Sequence, residues 1–402
     1  MGKLKYVLLA AGLFLTALQA GAKNEGKEEE EGYHFTIIRE LPATPVKDQY
    51  HSGTCWAFSG LAMLESEMLR LKKPEVDLSE MFVVWHTYSD KAVKDVRLHG
   101  SLNFSAGGAF HDVINVIRKY GIVPENVYTG LNYGETKHVH GEMDRMLEEQ
   151  VNAVIENKNK KLSTAWHDAI DNTLNSYLGN LPETFTYEGK EYTPLSFAKD
   201  FAGLNLDDYV ELTSYTHHPF YSKFILEVPD NWAWGEIYNV PMEDMEQIID
   251  NSIETGYTVA WAADISEKGF STSKKGVAVI PEMDFKDMSE DEISKWENLP
   301  EKEKDEKLYE LKGPGPEKNI TQEMRQIDFD NYQTTDDHGM LIVGTAKDQN
   351  GTIYYKVKNS WGIYNDYNGY FFASKPYVRY KTMSIMVNKD AIPKSIRKKL
   401  NL

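Results

Sequence analysis

The chain has 402 residues, with 44 Lys and Arg against 62 Asp and Glu, a formal net charge of −18; phosphate backbones and anionic lipid repel such a chain, which argues against nucleic acid and membrane surfaces as partners. A content of 41% hydrophobic and 12% aromatic residues fills a core and excludes a disordered or fibrous chain. The length suits one large or two moderate domains at ~100–200 residues each.

Lys3 and Lys5 precede an apolar run over 6–19, and Ala20-Gly21-Ala22 follows with small residues. That order predicts a signal peptide over 1–22, with the mature chain starting at Lys23. The run is short of the ~20 residues a comfortable span needs, so no stable membrane span is expected after cleavage. The protein is expected to be exported, periplasmic or secreted. Residues 23–34 begin with KNEGKEEEEG and read as an acidic, solvated linker.

Structure is expected to begin near Tyr33, and Pro42 and Pro45 mark an extended approach to Cys55. From Cys55 the apolar residues Ala57, Leu61, Leu64, Met68 and Leu71 recur at helical spacing. Glu65, Glu67 and Arg70 fall off that stripe. Thr54 or Ser52 is the expected cap and Pro74 the stop. Further helices are expected after Ser79 and over Phe110–Tyr120, the latter ended by Gly121. Residues 131–215 alternate helical stretches, one over 143–157, with polar loops and show no catalytic pattern. Residues 256–264 (GYTVAWAAD) read as a buried strand, and the Asp, Glu and Lys of 284–312 as a solvated helical insertion. Met340–Ala346, Thr352–Lys358 and Gly369–Phe372 read as strands, with Asp348-Gln349-Asn350-Gly351 as the turn between the first two.

Cys55 is the one cysteine in the chain, so it cannot form an internal bridge and is either a small buried hydrophobe or a reactive thiol. Its place in the first turn of a helix favours the second. Unpaired N–H groups and the positive end of the dipole favour thiolate, and helix tips and a nearby imidazolium bring thiol pKa values down to about 3.5–7.5, papain being one of the standing examples. His338 opens a strand and is the candidate base. His86, His111, His217 and His218 read as ordinary core or surface histidines, and His138-x-His140 has no supporting ligand, so no metal is expected. Asn359, at the end of a strand in NSWG, offers an oxygen to orient the imidazole, with Trp361 to cover that bond. Gln49, six residues before Cys55, offers an amide N–H to an oxyanion. Gly107 and Gly108 either let a substrate backbone come close or form a plain loop leading into a helix.

Together these residues resemble the papain superfamily. The cysteine motif C-G-[SA]-C-[WY] here reads Ser52-Gly53-Thr54-Cys55-Trp56, with Ser52 in place of the first Cys and Thr54 in place of Ser or Ala. The distance from Cys55 to His338 is far longer than the ~130–150 residues of that motif. It is similar instead to the branch of bleomycin hydrolase and aminopeptidase C, as are GGAFHDVINVIRKYGIVPENVY, HPFYSKFILEVPDNW and DNYQTTDDHGMLIVG. The resemblance implies an α+β, papain-like two-domain fold with insertions. It places a helical domain with the nucleophile over 35–130 and a helical insertion over 131–230. A β-barrel-like domain with His338 and Asn359 follows over 231–402, with an acidic insertion near 284–320. It implies peptide substrates, a Cys55–His338–Asn359 site with Gln49 in the oxyanion hole, no cofactor, and a hexamer. Branch members remove residues from free N-termini behind a C-terminal arm. Here the chain closes soon after MSIMVN, so the arm is expected to be shortened or missing. Three readings stay open: an aminopeptidase, an exported endopeptidase with an open cleft, and an inactive peptide-binding relative.

Overall fold

A computed structural model describes residues 32–159, 161–286 and 288–402. The expected signal peptide and the linker up to residue 31 lie outside the described residues. The first elements are strand β1 (Thr36–Glu40) and helices α1 (Cys55–Arg70), α2 (Glu80–Arg97), α3 (Phe110–Tyr120), α4 (Gly141–Ile155) and α5 (Ala165–Leu178). Their ends follow local chemistry. Ser79 accepts the Phe82 N–H at 3.1 Å to cap α2, and Gly121, at φ 89°, ends α3. Thr54 stands at the N-cap of α1, but its hydroxyl bonds Ser52 Oγ at 2.6 Å and makes no capping bond to the helix N–H groups.

A small hairpin, β2 (Phe185–Tyr187) and β3 (Lys190–Tyr192), and the single turn α6 (Pro194–Ser196) come next. Then follow β4 (Tyr209–Thr213), β5 (Lys223–Ile225), β6 (Glu236–Asn239), α7 (Met242–Thr255), β7 (Val259–Ala263), β8 (Phe270–Ser271) and β9 (Val277–Ala278). The acidic insertion forms α8 (Glu290–Glu297) and α9 (Glu301–Leu308), and α10 is Gln322–Asp330. The C-terminal part is β10 (His338–Lys347), β11 (Ile353–Lys358), β12 (Tyr370–Ser374), α11 (Lys375–Lys381), β13 (Thr382–Asn388) and α12 (Lys394–Lys399). Strands β4 and β5 fall inside the stretch 131–230 that the sequence reading made helical.

Among the described residues, eleven strands join one sheet in the order β5-β6-β4-β13-β7-β10-β11-β12-β9-β8, with β1 on β10. The run HGMLIV of β10 is apolar without alternation because both faces of the strand are covered. Leu341 and Val343 join the core under α1–α5, whereas Met340 and Ile342 join the core under α7, α11 and α12. Strand β10 pairs with β7 through its first half, with β11 over most of its length and with β1 at its far end.

Helix α1 departs from the half-exposed helix that its stripe suggested. Glu65 is 2% exposed and Glu67 1%. Both carboxylates have partners from distant segments. Glu65 accepts the Leu78 N–H at 2.8 Å, and Glu67 bonds Arg70 and Asn388. Lys47 completes this region. Its Nζ lies 2.6 Å from Glu80 and 3.4 Å from Glu65, touches Asp77, and donates to the Leu78 carbonyl at 3.1 Å. Burial alone would push the Lys47 ammonium down, but Glu80 and Glu65 hold it well above the usual lysine range. Lys47 therefore pins the extended segment before Cys55 to α1 and α2. Replacing Lys47 with Met strands buried Glu65 and Glu80, and urea unfolding of that variant is expected to show a loss of about 3–5 kcal/mol. A loss within ~0.5 kcal/mol, the range of ordinary surface changes, would count against this role.

Candidate active site

The site forms where the first turn of α1 meets the first residues of β10. Gly339 makes that approach possible. A Cβ there would lie 2.6 Å from Ser59 Oγ and 3.3 Å from the Cys55 carbonyl oxygen and from Trp56 Cα. Any side chain would push the strand off the helix, so glycine is the residue that lets His338 stand beside Cys55. Both line one pocket, together with Trp56, Gly108 and His111. The sequence separation of the two residues is bridged by the sheet.

His338 is held from its far side. Its Nε2–H donates to Asn359 Oδ1 at 2.8 Å. The Asn359 orientation follows from its own partners: Oδ1 also accepts the Ser360 N–H at 2.8 Å, and Nδ2 donates to Tyr364 Oη at 3.0 Å. The proton therefore sits on Nε2, and Nδ1 is left without one. Trp361 lies on the imidazole, with centroids 4.8 Å apart and planes at 27°. It covers the His338–Asn359 bond, as its place in NSWG suggested.

Gln49 arrives on the segment that Lys47 pins. This segment pairs with the NSWG turn through an Asp48–Trp361 bridge and through Gln49 N–H to the Ser360 carbonyl at 2.8 Å. The Gln49 side chain is buried. Its Oε1 accepts from Ser360 Oγ at 2.6 Å and its Nε2 donates to the Ser52 carbonyl at 2.8 Å. One amide N–H remains for another acceptor. Gly108 lines the pocket, and Gly107 lies behind it. Protein neighbours fill the space each leaves: a Cβ at Gly107 would strike the Asp230 carboxylate at 2.1 Å, and one at Gly108 the Trp56 indole at 2.8 Å. The need for glycine at these two positions is met by packing, and a substrate role for them is a further matter.

The electrostatics differ from the thiolate–imidazolium pair expected from the sequence. Burial pushes the Cys55 thiol up to about 12, against N–H groups of Gly339 and Trp56 that favour the anion. Burial likewise pushes His338 down to about 4, and the Asn359 bond only partly offsets this. Two effects compete here, and desolvation outweighs the helix tip. Burial thus disfavours charge on both groups, against the pull of the helix tip.

Four carboxylates line the same pocket: Glu211, Asp230, Asp336 and Asp337. Only the Asp336-Asp337 pair, adjacent to His338, had a local signal in the sequence. Glu211 and Asp230 come from segments without a recognisable pattern. Glu211 is engaged by His111 at 2.8 Å and by Ser384 at 2.7 Å. Burial would lower His111, but Glu211 and Asp112 outweigh it and hold the imidazolium up at about 9. Asp337 accepts from Thr335, Ile265 and Ser266, and Asp230 from Asn103. Asp336 forms no hydrogen bond or ion pair with a described residue. Burial, with Asp230, Glu211 and Asp337 nearby, pushes its carboxyl up to about 8.

With this geometry in hand, similarity to known proteins is informative. The Peptidase C1-like family model matches residues 86–308 and 317–402. Aminopeptidase G of Lactobacillus delbrueckii subsp. lactis is 24% identical over 88% of this chain and 83% of its own length. Aminopeptidase C of Lactococcus lactis subsp. cremoris is 23% identical over 90% of this chain and 86% of its own length. The crystal structure of PepW from Lactobacillus rhamnosis HN001 superposes with a TM-score of 0.66 at 19% identity, covering 91% of this chain and 84% of that one. That likeness shows a shared α+β, papain-like fold.

Asp336 and Asp230 both raise the Cys55 thiol, so removing one negative charge must lower it. Asp336→Asn is expected to move the pH midpoint of Cys55 alkylation by iodoacetamide downward from its value in the parent protein. An unchanged or upward-shifted midpoint would show that these carboxylates do not reach the sulfur.

Proposed function

Because the chain belongs to the Peptidase C1-like family of papain-like cysteine peptidases, we propose that it is an aminopeptidase working through Cys55, His338 and Asn359. One observation carries this reading: Cys55 and His338 line one pocket while Asn359 holds the far nitrogen of the imidazole. As Cys55 Sγ attacks the scissile carbonyl, its proton passes to His338 Nδ1. The Cys55 N–H and the free N–H of Gln49 receive the oxyanion. His338 then protonates the leaving amine, and water, activated by the same imidazole, releases the acyl group. The pocket carboxylates oppose a resting thiolate but favour the imidazolium formed in the transition state. No step calls for a metal or cofactor.

The aminopeptidase reading rests on the relatives' names and on Asp336. A carboxylate without an ion-pair partner, beside the nucleophile and among other carboxylates, suits the α-ammonium of a peptide. The last residues of the chain lie elsewhere: Lys399 bonds Tyr221 and Asp244, and Leu400 packs in the core under α7. A peptide with a free amine is expected to be cleaved at least about thirtyfold faster than its N-acetylated twin, the cost of losing one buried charge pair. Equal rates would favour the endopeptidase reading. Failure of an epoxide inhibitor to label Cys55 in folded protein would favour a peptide-binding relative. Gln49→Ala is expected to lower kcat by about 10²–10³.

Export is part of the proposal and rests on the composition of residues 1–22 alone. Protein recovered from its native host should begin at Lys23; a chain still beginning at Met1 would sink the export reading. The hexamer implied by the family resemblance is read by sedimentation velocity of the same material.

A further inference from the structure

Outside the active site, His217, His218 and Glu227 direct their side chains at one point. We propose that they form a site for a divalent transition metal of the zinc type, on the outer side of the active-site wall. His217 Nε2 lies 3.0 Å from Glu227 Oε2, and His218 Nε2 lies 2.9 Å from Glu227 Oε1. The three ligand atoms fall within 4.8 Å of one another. Zinc binds nitrogen and carboxylate oxygen at ~2.0–2.1 Å, and tetrahedral geometry sets such ligands roughly 3.3–3.4 Å apart. Each nitrogen thus already stands within a few tenths of an ångström of that spacing from one of the two Glu227 oxygens. Two imidazoles and one carboxylate suit zinc and its neighbours better than calcium or magnesium, which prefer oxygen.

The rings are oriented before any ion arrives. His218 stacks on Phe224, with centroids 4.3 Å apart at 26°, and His217 lies parallel to Phe329, at 5.6 Å and 12°. Behind His217 sits the buried side chain of Gln326. It offers Oε1 at 3.4 Å and Nε2 at 3.1 Å to Nδ1, so the tautomer that frees Nε2 for a metal also has a partner. Among the described residues no Lys or Arg forms an ion pair with Glu227; its two partners are the histidines. The three side chains are part-exposed, at 28%, 35% and 56%, so an ion can reach them and water can fill a remaining position.

Placement gives the site a consequence. Glu227 stands between Leu226 and Val228, and both line the pocket of Cys55. A bound ion would tie that wall to the segment carrying His217 and His218. Occupancy therefore braces one side of the substrate pocket without touching the reacting atoms.

The test uses Co²⁺ as a visible probe on the full chain without an affinity tag. Cys55→Ser removes the thiol as a competing ligand. This protein is expected to bind Co²⁺ at micromolar concentration with the d–d absorption of a four- or five-coordinate nitrogen and oxygen site. Adding His218→Ala, and separately Glu227→Gln, is expected to weaken binding at least ~tenfold. Both positions are solvent-accessible, so the variants should fold, which circular dichroism would check. Equal affinity in the parent and both variants, or no binding to the parent below millimolar Co²⁺, overturns the proposal and leaves two histidine–glutamate hydrogen bonds.

Discussion

The contact between Gly339 on β10 and the first turn of α1 is the constraint on which the site depends. A helix and a strand meet there close to backbone distance, with the Ser59 hydroxyl at the contact. That closeness sets His338 and Cys55 on one pocket, and it lets the Gly339 N–H reach the Cys55 sulfur. It also removes water from both groups, so the thiol and the imidazole each favour their neutral form. Proximity and desolvation are thus one geometric fact. In the mechanism proposed above, the same approach serves proton transfer and disfavours charge separation before a substrate is present.

The surrounding structure compensates from two sides. The NSWG turn supplies the orienting amide of Asn359 and the cover of Trp361. The segment from Lys47 to Gln49 is tied to that turn by backbone pairing and to α1 and α2 by ion pairs. One short segment therefore couples Gln49, the turn that holds His338 and the helix that carries Cys55. Opposite lies a wall of carboxylates, whose combined negative potential disfavours a second anion and welcomes a cation.

Features set by neighbours in sequence were legible; features set by neighbours in space were not. Ser79 and Gly121 bound their helices as local chemistry requires. The β10–β11 turn at 348–351 and the buried strand at Val259–Ala263 followed from apolar runs and turn residues. The residues of the site could be named because each sits in a short recognisable context. Periodicity misled at Glu65 and Glu67, because it detects apolar residues and cannot see that Lys47 and Asn388 arrive to pair buried carboxylates. The burial that opposes a thiolate was hidden for a related reason. A helix tip can be read locally, whereas enclosure by β10 and by the segments carrying Asp230 and Asp336 cannot. The metal-ligand cluster was hidden likewise: His217 and His218 acquire meaning only once the sheet brings Glu227 to them.

Strand β10 lies deep in the sheet, and His338 is its first residue. Its register with β7 begins at His338 itself, opposite Ala263. His338 therefore belongs to the paired sheet and not to a loop, and sheet strands open as cooperative units. Its amide protons should trade with solvent only when a large part of the sheet opens. The proposed proton acceptor thus stands on paired backbone, which leaves adjustment to incoming peptides to the walls of the pocket.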